Sequence, residues 1–187
     1  MEKDLRMEVF SSKDIVRATC LHVYQLHTQK IDNAFSIIRE MPKNVVIHRD
    51  GFSNENDDWY RNYFVAKGIE YSIIEVRKNV SSKLILLQDD KVMNPAMGYC
   101  VYNNNKGYLV TTDMKNKKGS PNPILVEKKC GNVSMAHILT QIHYLSQLHV
   151  GSTHKMRLPI TTGYADKICK NRDFVPEGKM DDRLFFL

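Results

Sequence analysis

The sequence predicts an α/β fold, as one domain or part of one, from three observations. Residues 13–78 alternate between helix-like and strand-like patterns in the order α-β-α-β. Two β-rich runs then flank an Asn-Asn-Asn-Lys-Gly turn within residues 97–113. Further along, apolar residues recur at helical spacing from Met135 to Leu148. Alternating helices and strands favour a parallel strand pair that is joined by a right-handed crossover.

Length and composition are those of a domain with one hydrophobic core. The chain has 187 residues, 42% of them hydrophobic and 26% charged, which is enough apolar material for a single core. No apolar run approaches the ~18 residues of a membrane span, and the start, MEKDLRMEVF, lacks the apolar stretch of a signal peptide. We therefore expect a cytoplasmic protein with no membrane partner. The four cysteines are too scattered for a zinc site or a small disulfide framework.

The chain carries an excess of positive charge. Lys and Arg number 27 against 21 Asp and Glu, which gives a net charge of +6 and a pI near 9.1. That balance suits a polyanionic partner. The basic residues form three clusters: Arg77 with Lys78, Lys115 with Lys117 and Lys118, and Lys155 with Arg157. Each cluster is as consistent with a solvated loop as with a phosphate-binding surface.

The amino-terminal elements are a helical region and a short strand. Residues 13–40 have a helical pattern in two pieces, with Ser12 as a plausible N-cap and Pro42 as the stop. The run NVVIHR at residues 44–49 is apolar and rich in β-branched side chains. Such an uninterrupted run is typical of a strand that is covered on both faces.

A second helix and strand follow. Ser53 is a candidate N-cap for a helix with an aromatic side, and Gly68 is a candidate for its end. The run EYSIIEVRK at residues 70–78 then predicts the partner strand. A helix and a strand in this order place the new strand parallel to the strand at 44–49.

The remaining elements are a strand and two helices. ILVEKKC at residues 124–130 predicts a strand, and Ser134 is the expected N-cap of the helix that ends near Leu148. After an extended entry at Pro159, a short helix is expected to begin near Tyr164.

Asp50 stands where the apolar strand at 44–49 ends, and its local sequence has two interpretations. Asp-Gly is a common turn dipeptide, so Asp50 and Gly51 can be a simple turn. Alternatively, Asp50 is a metal ligand at the carboxyl end of a strand, where open α/β sheets collect functional groups. His48 is predicted to face away from Arg49 in a regular strand and to be a packing residue.

Six motifs in a fixed order resemble the carboxy-terminal part of a PIWI domain, the domain of Argonaute proteins, and of long prokaryotic members above all. They are PKNVVIHRDG, EYSIIEVRKN, NPAMGYCV, GSPNPILVEKK, HILTQIHYLSQLHVGS and RLPITTGYADKI. The resemblance covers residues 42–187, with residues 1–41 as a helical lead-in. It implies an RNase H-like fold that is incomplete at its amino-terminal side, because the first strands of the fold have no counterpart here.

The resemblance also implies an acidic site for two divalent cations, Mg²⁺ or Mn²⁺. Active members use an Asp, a mobile Glu, a second Asp and a final Asp or His. The second Asp falls in RDG, which is Asp50 here, and the last falls in YAD, which is Asp166. Glu8 is the candidate for the mobile Glu, against the alternative of a surface glutamate. Two cations ~4 Å apart need such carboxylates to offset their repulsion.

The partners implied by the resemblance are a short guide strand of DNA or RNA and a complementary target. Candidate contacts to their phosphates are Arg77, Lys78, Lys155 and Arg157, and phosphate binding needs only positive charge and reach. The terminal carboxylate of Leu187 is a candidate for the pocket of the guide's 5′ phosphate, where it can help to hold a metal. The alternative for the tail is that its apolar residues anchor it in the core.

Three functions stay open on the sequence. The first is guide-directed cleavage of a target, with the upstream half of the same PIWI domain as a further partner. The second is a guide-binding or interaction module without catalysis, and the third is an unrelated RNase H-like enzyme of the transposase or resolvase type. Since nothing here matches the first Asp of the family's site, we expect this chain alone to have no nuclease activity.

Overall fold

The structure is a computed structural model. It describes residues 28–29, 31–38, 40–51, 57–112, 119–148, 157–163 and 165. Within these ranges, chain contacts define two compact units. The helical unit contains the described residues up to Lys43 and those from 57 to Ile69. The sheet unit contains residues 44–51 and the described residues from Glu70 onwards.

The helical unit is built from helical residues 28–29 and 31–37 and from helix α1, Asp58–Ala66. Its two parts are linked through Asp32, which accepts a 2.5 Å hydrogen bond from the Tyr63 hydroxyl and lies 3.1 Å from Lys67 Nζ. The bond from Tyr63 and the charge of Lys67 lower the pKa of Asp32. Burial and the nearby carboxylate raise the pKa of Tyr63. Asp32 is therefore an anion that fastens α1 to the preceding helical segment.

Helix α1 begins later than the sequence predicted. Its first residue is Asp58, whose carboxylate pairs with Arg61 at 3.3 Å, and Asp57 precedes it without a side-chain cap. Ser53 lies outside the described residues, and the prediction that it caps this helix is wrong because α1 starts five residues after it. Asn and Asp have low helix propensity, so a first residue at Asp58 is consistent with the Asn-Glu-Asn-Asp sequence before it.

The end of α1 is as predicted. Gly68 adopts a φ of +67°, which a side chain would make unfavourable, and its N–H donates to the Val65 carbonyl. The next N–H, that of Ile69, reaches back to the Phe64 carbonyl at 3.0 Å. This pair of bonds is a Schellman motif, and it reverses the chain toward the following strand.

The sheet unit is a mixed five-stranded sheet with a separate hairpin. Its strands are β1 (Asn44–Asp50), β2 (Glu70–Arg77), β3 (Leu86–Gln88), β4 (Lys91–Met93), β5 (Cys100–Tyr102), β6 (Lys106–Leu109) and β7 (Ile124–Cys130). The order in the main sheet is β1-β2-β7-β6-β5, while β3 and β4 pair only with each other. Strands β1 and β2 are parallel, as predicted, and the other pairs are antiparallel. The structure confirms an α/β fold.

One face of the sheet forms the hydrophobic core. Helix α2, Met135–Gln147, packs on this face, and its N-cap is Ser134, whose hydroxyl accepts from the His137 N–H. The core joins the inward side chains of β2, β6, β7 and α2 to Leu158. Helix and sheet approach so closely at Gly107 that an added Cβ would lie 2.9 Å from a methyl group of Leu139. None of the helices in the described part of the chain combines the length and apolarity needed to cross a bilayer.

The opposite face of the sheet carries a charge network. Glu75 on β2 and Glu127 on β7 are direct cross-strand neighbours. Arg77 bridges them, with one NH₂ group 2.6 Å from Glu75 and 3.0 Å from Glu127. Lys129 lies 3.8 Å from Glu75, and Lys106 lies 4.0 Å from Glu127. Because the Glu75 side chain is 0% exposed, Arg77 and Lys129 compensate a fully buried charge.

Two further elements differ from the sequence prediction. The β3–β4 hairpin was not predicted, although its two turn residues, Asp89 and Asp90, have φ of 50° and 57°. Positive φ at both positions is the signature of a type I′ hairpin turn. The last helix begins at Ile160, earlier than the predicted start near Tyr164, because the Pro159 carbonyl already accepts from two helical N–H groups. Proline's fixed φ suits the first turn of a helix.

Candidate functional site

Asp50 is the last residue of β1, at the end of the sheet where β2 also ends. Parallel strands share this carboxyl end, and Asp50 is paired in register with Val76. Gly51 follows with a φ of +82°, and its N–H donates to the Val76 carbonyl at 3.0 Å. The backbone therefore turns at Gly51, while the Asp50 side chain, 29% exposed, stays accessible. The turn and the ligand interpretations of Asp50 are compatible.

Lys78 lies next to Asp50, just past the end of β2. Its Nζ is 3.9 Å from Asp50 Oδ2, and its side chain is 30% exposed. At this exposure the ion pair contributes little to stability, because water screens it. The pair instead places one carboxylate and one ammonium group side by side at an accessible end of the sheet.

Arg77, also predicted to bind phosphate, points the other way. Alternation along β2 places it on the face opposite Val76 and Asp50. There one of its NH₂ groups binds Glu75 and Glu127. The structure thus separates the two predicted basic residues: Lys78 stands beside Asp50, and Arg77 belongs to the charge network.

Residues 157–163 cross the same end of the sheet as Asp50. Arg157 donates to the Pro123 carbonyl just before β7, at 2.9 Å. The Thr111 hydroxyl, two residues after β6, donates to the Arg157 carbonyl at 2.7 Å. Leu158 belongs to the core, and burial lowers the pKa of Arg157. One NH₂ group of Arg157 is thus used in fastening this segment, and its predicted contact with phosphate stays a prediction.

His48 connects this segment to β1. Its Nδ1 lies 2.9 Å from the Thr161 hydroxyl oxygen. The register of β1 places His48 on the same face as Asp50 and opposite Arg49, as the alternation predicted. Burial lowers the pKa of His48, so its ring is neutral near pH 7. Its Nε2 is buried and has no hydrogen-bond partner in the described part of the chain.

The other predicted site residues, Glu8, Lys155, Asp166 and Leu187, lie outside the described residues. Within the described ranges, no three His, Cys, Asp or Glu side chains are grouped as a metal site would require. Asp50 is suited to be one ligand, because its carboxylate is an accessible, hard oxygen donor of the kind that Mg²⁺ and Mn²⁺ prefer. Asp166 and Glu8 stay predicted as further ligands.

Sequence reasoning missed the contact between His48 and Thr161. His48 was interpreted as a packing residue, although its spacing of two from Asp50 already placed both side chains on one face of the strand. Nothing in the local sequence marks Thr161, because its partner is 113 residues away. The structural role of Arg77 had one signal, the isolated acidic residue Glu75 inside the apolar run SIIEV.

No protein-family model matches the chain. It is 23% identical to the Argonaute of Aquifex aeolicus (strain VF5) over 192 aligned positions, which cover 96% of this chain and 26% of that protein.

Two solved structures resemble the fold. Clostridium butyricum Argonaute, bound to a guide DNA and a 19-mer target DNA, matches with a TM-score of 0.74 and 47% identity over 95% of this chain and 23% of that one. Marinitoga piezophila Argonaute, in complex with a 5′ OH guide RNA, matches with a TM-score of 0.63 and 17% identity, covering 80% of this chain and 23% of that one.

This chain therefore spans about a quarter of the length of the proteins that it matches. This chain is similar to the clostridial protein in sequence as well as in fold, because the two are 47% identical over 95% of this chain. In sequence and in fold, this chain therefore resembles a PIWI-like portion of Argonaute proteins.

Proposed function

We propose that this chain forms part of a nucleic-acid-guided endonuclease, which binds a short guide strand and cuts a complementary target at a two-metal site that includes Asp50. One observation supports the proposal most. Asp50 stands accessible at the carboxyl end of β1, beside Lys78, where residues 157–163 are fastened across the same end of the sheet. Matches to Argonautes bound to guide DNA, guide RNA and target DNA support the choice of partners.

In this proposal, some residues of the chain bind metal and others bind phosphate. Asp50, with Asp166 and Glu8, holds Mg²⁺ or Mn²⁺. When bound, such a cation supplies Lewis acidity toward the scissile phosphate and toward the attacking water. Lys78 binds a backbone phosphate, because its side chain is 30% exposed and its ammonium group lies 3.9 Å from Asp50. Lys155 and Arg157 provide further phosphate contacts, and the carboxylate of Leu187 holds a metal at the guide's 5′ end. The protein is proposed to act in the cytoplasm.

A second candidate function is a PIWI module that binds guide and target without cutting. The ion pair between Asp50 and Lys78 is the observation that favours it, since such a pair serves equally well as a plain surface contact. The two functions differ in whether the protein cuts its target. They therefore differ in whether the replacement of Asp50 abolishes a cleavage activity.

The proposed phosphate contact of Lys78 has a measurable signature. Replacing Lys78 by glutamate is expected to weaken binding of a guide-target duplex and to reduce the slope of log K against log salt by about one unit, since one phosphate contact is lost. Binding is measured by fluorescence anisotropy between about 50 and 200 mM salt.

The control for Lys78→Glu is Lys91→Glu, the same charge change on the exposed strand β4. We expect Lys91→Glu to leave the slope unchanged, because Lys91 lies in the separate hairpin. Equal slopes for the wild type and Lys78→Glu would remove Lys78 from the phosphate contacts. Arg77 is unsuitable for this test, because its loss would disturb the buried Glu75.

A further inference from the structure

We propose that His48 and Thr161 form a positioning contact, which holds the strand that ends at Asp50 and the segment that leads to Asp166 at a fixed separation. The inference rests on the proposed function, since it concerns the same metal site. Neither residue is proposed to touch metal or substrate.

The first step is that the contact joins two parts of the chain that are remote in sequence. His48 Nδ1 and Thr161 Oγ1 lie 2.9 Å apart and are separated by 113 residues. This distance is that of a hydrogen bond. The bond depends on direction as well as distance, so it constrains the two parts more tightly than apolar packing would.

The second step is that His48 is rigidly related to Asp50. Both side chains lie on one face of β1, and residues two apart in a strand are ~6.6 Å apart. β1 is paired with β2 along all seven of its residues. A displacement of His48 is therefore transmitted to Asp50 by the strand itself.

The third step is that Thr161 lies in a segment that is fixed at its start. Arg157 and Leu158 attach the start of the segment to the sheet and to the core. The Pro159 carbonyl then accepts from Thr162 and Gly163, which begins the helix that contains Thr161. In sequence, Asp166 follows Thr161 by five residues.

The fourth step is that the histidine supplies a directional bond that an apolar side chain cannot supply. An apolar side chain of similar size would fill the half-buried position without leaving a buried ring nitrogen that has no partner among the described residues. A buried ring nitrogen that is left without a partner costs free energy. The gain from the histidine is a directional bond to Thr161, which geometry at a metal site requires and packing does not.

The test measures the affinity for Mn²⁺ of the longest gene product that contains this chain. The concentration of free Mn²⁺ is determined from its paramagnetic signal. Thr161→Val removes the hydroxyl at nearly constant volume and is expected to raise the Kd for Mn²⁺ by about tenfold, the effect of losing a group that orients metal ligands. Thr161→Ser keeps the hydroxyl and is expected to restore affinity. His48→Leu is expected to match Thr161→Val, with no further loss in the double variant, because either change removes the same bond.

Thr162→Val is the matched control. Thr162 is the neighbouring threonine, it is buried, and its hydroxyl donates to the Pro159 carbonyl within its own turn. Its substitution is expected to lower the melting temperature without changing Mn²⁺ affinity. Equal Kd values for wild type and Thr161→Val, or equal losses for Thr161→Val and Thr162→Val, would overturn the positioning role.

Asp50→Ala separates this inference from the proposed function. If Asp50→Ala abolishes Mn²⁺ binding and Thr161→Val leaves it unchanged, only the positioning contact is wrong. If Asp50→Ala also leaves Mn²⁺ binding unchanged, the metal site itself is wrong, and the inference is overturned with it.

Discussion

Replacing Asp50 by alanine is expected to abolish target cleavage while nucleic-acid affinity stays nearly unchanged. The loss of a metal-binding carboxylate should lower the cleavage rate by about a thousandfold or more, because the groups of such a site act as a unit. Affinity should hold or rise slightly, since a negative charge near the phosphates disappears. The measurement is single-turnover cleavage of a labelled target in Mn²⁺, beside binding in EDTA, with the longest gene product that contains this chain.

Asp58→Ala is the matched control for Asp50→Ala. It removes an exposed carboxylate that pairs with Arg61 at 3.3 Å, in the helical unit rather than the sheet unit. We expect it to retain full cleavage. Cleavage that survives in Asp50→Ala would exclude Asp50 from the site. Wild-type protein that binds guide and target but never cuts would favour the binding module.

Arg77→Met is expected to cause the largest loss of stability among the charged residues discussed. It removes the 2.6 Å ion pair of Glu75, which is 0% exposed, and keeps the pair with Lys129 at 3.8 Å. Removing one partner of a buried pair typically costs about 3–5 kcal/mol, and Lys129 should keep the loss near the lower end. Urea unfolding followed by far-UV circular dichroism measures it. Fluorescence of Trp59, the one tryptophan, reports the helical unit instead.

The double variant Glu75→Leu with Arg77→Met tests the cause of that loss. Replacing both members of a buried ion pair by apolar groups is often neutral or stabilising, because no charge is left to compensate. We therefore expect the double variant to be more stable than Arg77→Met alone. A double variant that is less stable than Arg77→Met would show that Arg77 stabilises the sheet mainly by packing.

The elements that could be predicted from the sequence are those with a local signal. The apolar run before Asp50 predicted β1, and the helical spacing after Ser134 predicted α2 with its cap. The parallel pairing of β1 and β2 followed from the intervening helix. The β3–β4 hairpin was missed because Leu87 and Val92 are both 68% exposed and give no clean alternation of buried and exposed residues.

The parts of the site that could not be predicted depend on distant residues. The sequence pointed to Asp50 through a motif, and to Lys78 and Arg77 only as adjacent positive charges. Lys78, and not Arg77, lies beside Asp50. This depends on the alternation of side chains along the strand and on Glu127, which lies 50 residues from Arg77 in sequence. No local pattern contains that pairing, because it exists only once β2 and β7 are neighbours in the sheet.

The strand order of the sheet has a consequence for the time at which the site forms. β2 follows β1 after a single helix, but its other neighbour is β7, which begins 47 residues after Arg77. During synthesis, the edge of β2 that pairs with β7 therefore stays unpaired until Ile124–Cys130 has left the ribosome. The contact between Thr161 and His48 closes a longer loop still. Closing a long loop costs conformational entropy before the contact can stabilise the fold. The end of the sheet that holds Asp50 is consequently the last described part of the chain to be completed, so a stalled or shortened chain would present the RDG motif without the segment that fastens over it.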